Sequence, residues 1–198
     1  RAAQGRGMSA AAKAPYDIAT VPERLEGERL ERKLKAARRL SFGVRFLDDA
    51  LGGIFPHDVI LLGAASGHGK TQLAAGIAQG TAAKGKRVVF LALEAEPREI
   101  ERRMKYRALA GLYYAGAVRH GVRLSYRGWY LGQHATELGP LEDRADAEVV
   151  KAFGTMRTLY KNGHFGAADM VNVIHRVHDE GGADLVILDH LHYVDAPN

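Results

Sequence analysis

The amino-acid sequence predicts an α/β fold, in which a mostly parallel β-sheet carries helices on both faces and follows a charged helix. Three short apolar segments, at residues 59–63, 87–93 and 185–189, have the length and the continuous hydrophobicity of strands buried on both faces. Segments with helical periodicity lie between them. This alternation of strands and helices is typical of parallel sheets.

A charged segment precedes the sheet. Residues 22–40 predict a helix, because acids and bases recur four positions apart, as at Glu28 and Arg32. The apolar stripe of this helix is narrow, so it lies either in solvent, on the domain surface or against a neighbouring subunit. Residues 1–21 are expected to be a flexible lead-in.

The first strand and the helix after it flank a glycine-rich turn. Residues 41–58 are predicted to be loop-rich, since they contain two adjacent glycines and a proline. Residues 59–63 follow as a buried strand. Residues 71–83 form a helix with apolar side chains four positions apart, which the Lys-Gly-Lys of residues 84–86 ends.

The remaining regular elements follow from similar signals. Residues 87–93 predict a strand, and residues 97–110 predict a helix that opens with a proline, where the missing N–H costs nothing. Residues 167–180 predict a helix that two glycines end, followed by the strand 185–189. In the middle of the chain, a strand is predicted within residues 122–131 and a helix over residues 146–160.

Composition limits the class of protein. The chain has 198 residues, enough for one domain with a sizeable core, and no cysteine, which excludes disulfides and thiolate metal sites. No apolar segment approaches the ~18 residues of a membrane span, and the first residues lack an apolar signal-peptide core. We therefore expect a cytoplasmic protein without membrane contact. The net charge of +5 is compatible with nucleic-acid binding.

Residues 64–71 carry the most informative motif. They read Ala-Ala-Ser-Gly-His-Gly-Lys-Thr and match the pattern G-x-x-x-x-G-K-[ST] except at the first position. Small residues let backbone N–H groups converge on phosphate oxygens, and the start of the following helix adds free donors and a positive dipole end. The segment predicts a site for a nucleoside triphosphate, namely ATP with Mg²⁺.

Each residue of this loop has a predicted role. Lys70 reaches the β- and γ-phosphates, and the Thr71 hydroxyl is a magnesium ligand. Ala64 is the weak point, since its Cβ would crowd a position that requires a positive φ. The residues predicted to bind the nucleotide are Ala65, Ser66, Gly67, His68, Gly69, Lys70, Thr71 and Gln72.

Two acids at strand ends complete the predicted site. Asp189 closes the last strand, and an acid at the carboxyl end of a parallel strand faces the crevice where ligands bind, so Asp189 is predicted to be the second magnesium ligand. His190 follows it directly, so the acid that orients water must come from elsewhere. Glu94, at the end of the neighbouring strand, is predicted to be this acid, with Glu96 and Glu99 as alternatives.

Together these residues resemble the RecA-like P-loop ATPases, and in particular the ATPase domain of the DnaB-type replicative helicases. The loop of those helicases commonly begins with alanine, as at Ala64. Residues 93–94 resemble their "S-L-E" strand end, whose Glu is catalytic. Residues 189–192, Asp-His-Leu-His, resemble "D-Y-L-Q", and residues 46–53 resemble "L-D-x-x-x-G-G". The resemblance covers roughly residues 22–109 and 183–194 and leaves the middle of the chain unmatched.

The resemblance implies a function. It implies an ATP-hydrolysing motor that uses Mg²⁺, assembles into a homo-oligomeric ring such as a hexamer, and acts on single-stranded DNA or another nucleic acid, as a helicase does in DNA replication. His192 stands where the family has a Gln that senses the γ-phosphate. Residues 22–40 stand where the family has a linker helix, and residues 41–198 form the ATPase domain, expected to be incomplete at its carboxyl end because the DNA-contacting loops and a basic finger come later.

Other functions remain open. A RecA-type recombinase or a clock-type ATPase would hydrolyse ATP without unwinding, a small-molecule kinase would transfer the γ-phosphoryl group to a metabolite, and a binding module would hold nucleotide without turnover. A metal site is a further hypothesis for four histidines, although the last two are expected on opposite strand faces: His175, His178, His190 and His192. Aromatic side chains near arginines suggest base stacking, with core packing as the alternative: Tyr113, Tyr114, Tyr126, Trp129 and Tyr130 beside Arg119, Arg123 and Arg127.

Overall fold

The computed structural model describes residues 21–116, 123–133, 135–161 and 163–194. The chain separates into two units between Arg38 and Arg39. The described part of the first unit is helix α1 (Val21–Ala37), which has no buried residue. Residues 1–20, nearly all of the predicted lead-in, lie outside the described residues. None of the described helices is both long enough and apolar enough to span a bilayer.

The second unit contains a three-stranded parallel sheet. Strand β1 (Val88–Ala92) is fully buried at the centre, between β2 (Met156–Tyr160) and β3 (Leu185–Asp189). Ala92 pairs with Asp189 at the carboxyl ends of β1 and β3. The parallel sheet of the prediction is confirmed, and so is the prediction that the strand preceding Glu94 and the strand ending at Asp189 are neighbours.

Helices cover both faces of this sheet. The helices of the described second unit are α2 (Arg45–Leu51), α3 (Lys70–Ala82), α4 (Glu99–Ala115), α5 (Tyr126–Tyr130), α6 (Ala135–Phe153) and α7 (Ala167–Asp179). One hydrophobic core joins α3, α4 and α6 to the side chains of Val88 and Phe90. Val89 and Leu91 point to the other face, where side chains of α7 pack on them. This alternation of β1 side chains gives the three-layered fold that the sequence predicts.

A separate core holds the middle of the chain together. Leu109 of α4 and Leu138 of α6 are completely buried in it. The indole N–H of Trp129 in α5 donates to Glu142 of α6 at 3.2 Å, and the Lys105 ammonium of α4 lies 3.0 Å from the same carboxyl group. The segment α4–α5–α6 is therefore a packed helical unit.

Residues 59–63 are not a strand, which corrects the sequence prediction. Val59 and Leu61 are 98% and 85% exposed, and the segment pairs with none of the described strands. An apolar strand is buried only when neighbouring strands satisfy its backbone groups and helices cover its faces. Residues 59–63 have the continuous hydrophobicity that is typical of a buried strand. No neighbouring strand in the described part of the chain pairs with them.

Three other predictions need correction. Residues 41–58 are not entirely loop, since they contain α2, whose first turn includes the apolar residues Phe46 and Leu47. The strand expected within residues 122–131 is α5, because the Ser125 hydroxyl accepts a hydrogen bond from Gly128 N and caps a helix there. The helix expected over residues 146–160 ends at Phe153, and β2 follows, because short apolar runs do not distinguish a strand from a helix.

Candidate functional site

The glycine-rich loop folds into the turn that its sequence predicts. Gly67 and Gly69 have φ angles of +77° and +84°, which glycine adopts without steric cost, and α3 begins directly after Gly69. Among the described non-glycine residues only His57 and Arg98 have a positive φ, so Ala64 does not require one. The alanine at the first position of the motif is therefore compatible with the loop.

Lys70 lies across this loop. Its ammonium donates hydrogen bonds to the carbonyl oxygens of Ala64 at 2.7 Å and Ala65 at 3.1 Å. The His68 ring nitrogen Nδ1 lies 3.0 Å from the Ser66 carbonyl oxygen. A positive charge therefore sits inside an exposed turn at the start of a helix, where a phosphate group also finds free backbone donors.

Thr71 and Asp189 meet across the sheet edge. The side chain of Thr71, in the first turn of α3, lies close enough to the carboxyl group of Asp189, at the end of β3, to lower its pKa. Asp189 is only 6% exposed, and its Oδ2 has no hydrogen-bond partner. Burial raises the pKa of this carboxyl group, an effect that the Thr71 hydroxyl partly offsets. A buried carboxylate oxygen without a partner is available to a cation.

These two oxygens fit a magnesium ion bound together with a triphosphate. Mg²⁺ prefers hard oxygen ligands and usually takes one or two protein groups, with phosphates and waters completing its shell. No group of three or more His, Cys, Asp or Glu residues in the described part of the chain could hold a metal ion by itself. Thr71 and Asp189 are therefore the described residues that could hold such an ion.

Glu94 lies beside Asp189 because their strands are paired. The Leu93 N–H donates to the Asp189 carbonyl oxygen at 2.6 Å, which fixes the two strand ends side by side. The alternative acids are engaged elsewhere: Glu99 accepts from Arg103 Nε at 2.9 Å, and Glu96 lies 3.9 Å from the Arg102 guanidinium. Glu94 is the acid of the three that these arginines leave available for a water molecule.

His190 and His192 lie against each other at the same edge. Their Nδ1 atoms are 2.9 Å apart and their ring centroids 3.7 Å apart. The expectation that they point to opposite strand faces is wrong, because β3 ends at Asp189 and residues Leu191–Tyr193 form a 3-10 turn. The turn places the His190 imidazole beside Glu94, whose Oε2 lies 3.9 Å from His190 Nε2.

In the described part of the chain, the α7 histidines form no metal site and packing explains part of the aromatic cluster. His175 and His178 lie on α7 and belong to no metal-binding group of the described residues. Tyr113 is buried in the core of the α4–α5–α6 unit, and Trp129 packs against that core. Tyr130 is 56% exposed, while Arg119 lies outside the described residues. Packing therefore accounts for the two buried aromatic side chains.

Arg103 is a functional candidate that the sequence interpretation missed. Its positive charge lowers the pKa of Asp189 and so counteracts burial, and its carbonyl oxygen lies 3.5 Å from the Gln72 amide nitrogen. The Gln72 side chain is thus directed to α4. The sequence contains one signal for this role. Glu99 and Arg103 lie four residues apart on a predicted helix, and such an ion pair holds the arginine side chain in place.

Comparison with known proteins agrees with this geometry. Residues 40–198 match the DnaB-like helicase C terminal domain family. A stretch of 68 residues is 41% identical to the circadian clock protein KaiC2 of Synechocystis sp., and this match covers 33% of the present chain and 12% of KaiC2. The chain thus spans about an eighth of that relative. The chain belongs to the DnaB-like helicase C terminal domain family and is a RecA-like ATPase domain.

Proposed function

We propose that this domain binds ATP with Mg²⁺, hydrolyses it, and uses the reaction to move on or remodel nucleic acid within a ring of identical subunits. One observation carries the hydrolysis proposal. The Thr71 hydroxyl and the partnerless buried oxygen of Asp189 meet next to the loop that holds Lys70, with Glu94 on the adjacent strand end.

Each side chain then has a role in phosphoryl transfer. The N–H groups at the start of α3 and the Lys70 ammonium bind phosphate oxygens and stabilise negative charge on the transferring group. Thr71 and Asp189 would hold Mg²⁺, which when bound neutralises charge on the phosphates. The Glu94 carboxylate accepts a hydrogen bond from water and orients it for attack. The His192 imidazole donates to the terminal phosphate.

The assembly and nucleic-acid parts of the proposal have separate support. The family match and the net charge of +5 support action on nucleic acid. In α1, Leu25, Leu30 and Leu34 are 50%, 59% and 51% exposed, which gives this helix apolar surface that a neighbouring subunit would cover. We therefore assign α1 as the linker helix of the ring. The similarity to KaiC2 supports a second candidate, a clock-type ATPase that hydrolyses ATP without unwinding.

Phosphate release from ATP, measured with and without Mg²⁺, tests the hydrolysis proposal. We expect Lys70→Ala to abolish turnover and Glu94→Gln to lower kcat by roughly 10²- to 10⁴-fold, the range for loss of a general base. Glu96→Gln is the matched control and should leave kcat within about threefold, because an exposed acid beside Arg102 contributes little. If Glu94→Gln retains phosphate release while Lys70→Ala loses it, the catalytic role of Glu94 is refuted. A wild-type chain that binds ATP and releases no phosphate would refute hydrolysis in favour of a kinase or a binding module.

Two further measurements separate the finer functions. Stimulation of phosphate release by single-stranded DNA supports the nucleic-acid motor, and hydrolysis unaffected by DNA supports the clock-type alternative. Light scattering on a sizing column, with Mg²⁺ and a non-hydrolysable ATP analogue, measures the assembly. Leu30→Gln should weaken it and Lys33→Gln should not, and equal behaviour of the two variants contradicts the role assigned to α1.

A further inference from the structure

His190 stands between the proposed phosphate sensor and the proposed acid. Its Nδ1 lies 2.9 Å from Nδ1 of His192, and its Nε2 lies 3.9 Å from Oε2 of Glu94. The His190 side chain is 18% exposed, whereas that of Glu94 is 49% exposed. A largely enclosed imidazole thus lies between a half-exposed carboxylate on one side and a second imidazole on the other.

No lysine or arginine of the described residues competes for this carboxylate. The two nearest arginines in sequence pair with other acids, Arg102 with Glu96 and Arg103 with Glu99. The ion-pair partner that the structure gives Glu94 is His190. The orientation of the Glu94 carboxylate therefore depends on the nitrogen that His190 turns toward it.

We propose that His190 is a positioning residue for Glu94, and that it couples the position of this carboxylate to phosphate contact at His192. The proposal rests on the proposed hydrolysis, because it assigns Glu94 to water and His192 to the terminal phosphate. It adds a residue that the hydrolysis proposal does not use.

The coupling follows from the hydrogen bond between the two rings. A neutral imidazole has one N–H donor and one acceptor nitrogen, and two Nδ1 atoms 2.9 Å apart form a hydrogen bond only if one donates and the other accepts. When His192 donates, His190 accepts on Nδ1 and carries its proton on Nε2, directed at Glu94. The carboxylate is then held at the imidazole.

The opposite arrangement releases Glu94. When His190 donates from Nδ1, its Nε2 presents a lone pair that repels the carboxylate and turns it away from the ring, toward water. His192 then carries its proton on Nε2 and can donate to a phosphate oxygen. Both arrangements contain the same number of protons. To pass from the first to the second, His190 loses its Nε2 proton to solvent, the Nδ1 proton shifts from His192 to His190, and the exposed His192 takes up a proton from solvent on Nε2. A phosphate oxygen at His192 favours the second arrangement and so frees Glu94 for water.

Nitrogen NMR of the imidazoles tests the arrangement in the nucleotide-free protein. Long-range ¹⁵N–¹H spectra distinguish the two tautomers of each histidine. We expect His190 to carry its proton on Nε2, and we expect Glu94→Gln to shift the His190 nitrogens while leaving those of His175 unchanged. Addition of Mg²⁺ and a non-hydrolysable ATP analogue should move the His190 proton to Nδ1. Spectra of His190 that respond neither to Glu94→Gln nor to the analogue overturn the proposal.

Kinetics supply an independent test. His190→Phe keeps a ring and removes both nitrogens, so Glu94 is neither held nor turned toward water by Nε2, and we expect kcat to fall by about tenfold or more with analogue affinity nearly unchanged, as for a group that acts through the general base. His190→Gln keeps one N–H donor and one acceptor oxygen and can present either to Glu94, so it should recover part of the loss, and His175→Phe is the control. In a Glu94→Gln background, His190→Phe should have little additional effect.

The outcomes distinguish this inference from the proposed hydrolysis. Absence of phosphate release by the wild-type chain refutes hydrolysis, while the spectra still decide whether His190 holds Glu94. If the wild-type chain hydrolyses ATP, and His190→Phe lowers kcat by the same factor with and without Glu94, the two residues act independently and the coupling is refuted.

Discussion

Replacement of Gly53 by alanine should destabilise the domain more than the same change at the adjacent Gly52. Gly53 has a φ of +100°, and an added Cβ would lie 2.6 Å from the carbonyl oxygen of Leu40 and 2.8 Å from a side-chain carbon of Arg39. The oxygen belongs to the backbone and cannot rotate away. Leu40 and Ile54 exchange two hydrogen bonds of 2.8 Å, so relief of the clash must open that bridge.

The expected magnitude follows from these contacts. A left-handed conformation costs a non-glycine residue about 1–3 kcal/mol. Two lost hydrogen bonds add ~0.5–1.5 kcal/mol each, so Gly53→Ala should lower the free energy of unfolding by roughly 2–6 kcal/mol. Gly52 also has a positive φ, +75°, but its added Cβ would meet only a ring carbon of Phe55 at 3.7 Å. Gly52→Ala should therefore show the backbone strain alone.

Urea unfolding followed by circular dichroism measures both changes, and nucleotide affinity gives a functional readout. Leu40 and Ile54 pack with Ile77 of α3, the helix that the phosphate loop opens. Loss of the bridge should therefore weaken binding of an ATP analogue as well as lower stability. Equal destabilisation by Gly52→Ala and Gly53→Ala would refute the reasoning, because the close approach to the Leu40 carbonyl would then have no consequence.

Three further predictions follow from packing and charge. The pKa of Asp48 lies below its usual 3.8, because its carboxylate accepts hydrogen bonds from a serine hydroxyl and a backbone N–H. The stability that Asp48 contributes is therefore present above 3.8 and is lost as the pH falls through the lower pKa of the folded state. Asp48→Asn should destabilise the domain at neutral pH, and its urea unfolding curve should converge with that of the wild type in strong acid. Leu138→Ala should lower the free energy of unfolding by about 2–5 kcal/mol, because the Leu138 side chain is fully buried. The Leu131 side chain is 64% exposed, so Leu131→Ala should change it by less than ~0.5 kcal/mol. Equal losses for both variants in urea unfolding would contradict the separate core that holds the middle of the chain together. In α3, Gly80→Ala should raise stability by about 0.4–1 kcal/mol, since nothing lies within 4 Å of the added Cβ, while Gly76→Ala should not, because an arginine nitrogen lies 3.0 Å away.

The part of the fold that positions the site could be predicted from sequence because its signals are local and strong. The strands that contain Val88 and Leu188 are continuous apolar runs, and Lys70 and Thr71 lie at the start of a helix after two glycines. Parallel neighbours then bring Glu94 and Asp189 to one edge without any further information. The motif and the alternation of elements were therefore sufficient for these positions.

The rest depended on contacts between distant residues. The exposed segment at residues 59–63 has a strand pattern, but burial of a strand requires partners that a local pattern does not report. Two residues separate strand β2 from the end of α6, and only the pairing of β2 with β1, for example at Val88 and Val89, makes this segment extended. The contact of His190 with His192 arises from the 3-10 turn after β3, which no periodicity indicates. Such features depend on tertiary structure.

Asp189 combines a local sequence signal with a tertiary contact at the site. Its carboxyl group is buried at the end of β3, one oxygen lacks a hydrogen-bond partner, and burial raises its pKa. Because a buried acceptor without a partner costs free energy, a residue chosen for stability alone would be apolar, as the preceding four residues of β3 are. The position instead keeps an acid beside the Thr71 hydroxyl and the loop of Lys70. A cation shared with a phosphate would remove the cost at that oxygen, so the same burial that destabilises the nucleotide-free domain favours ligand binding there.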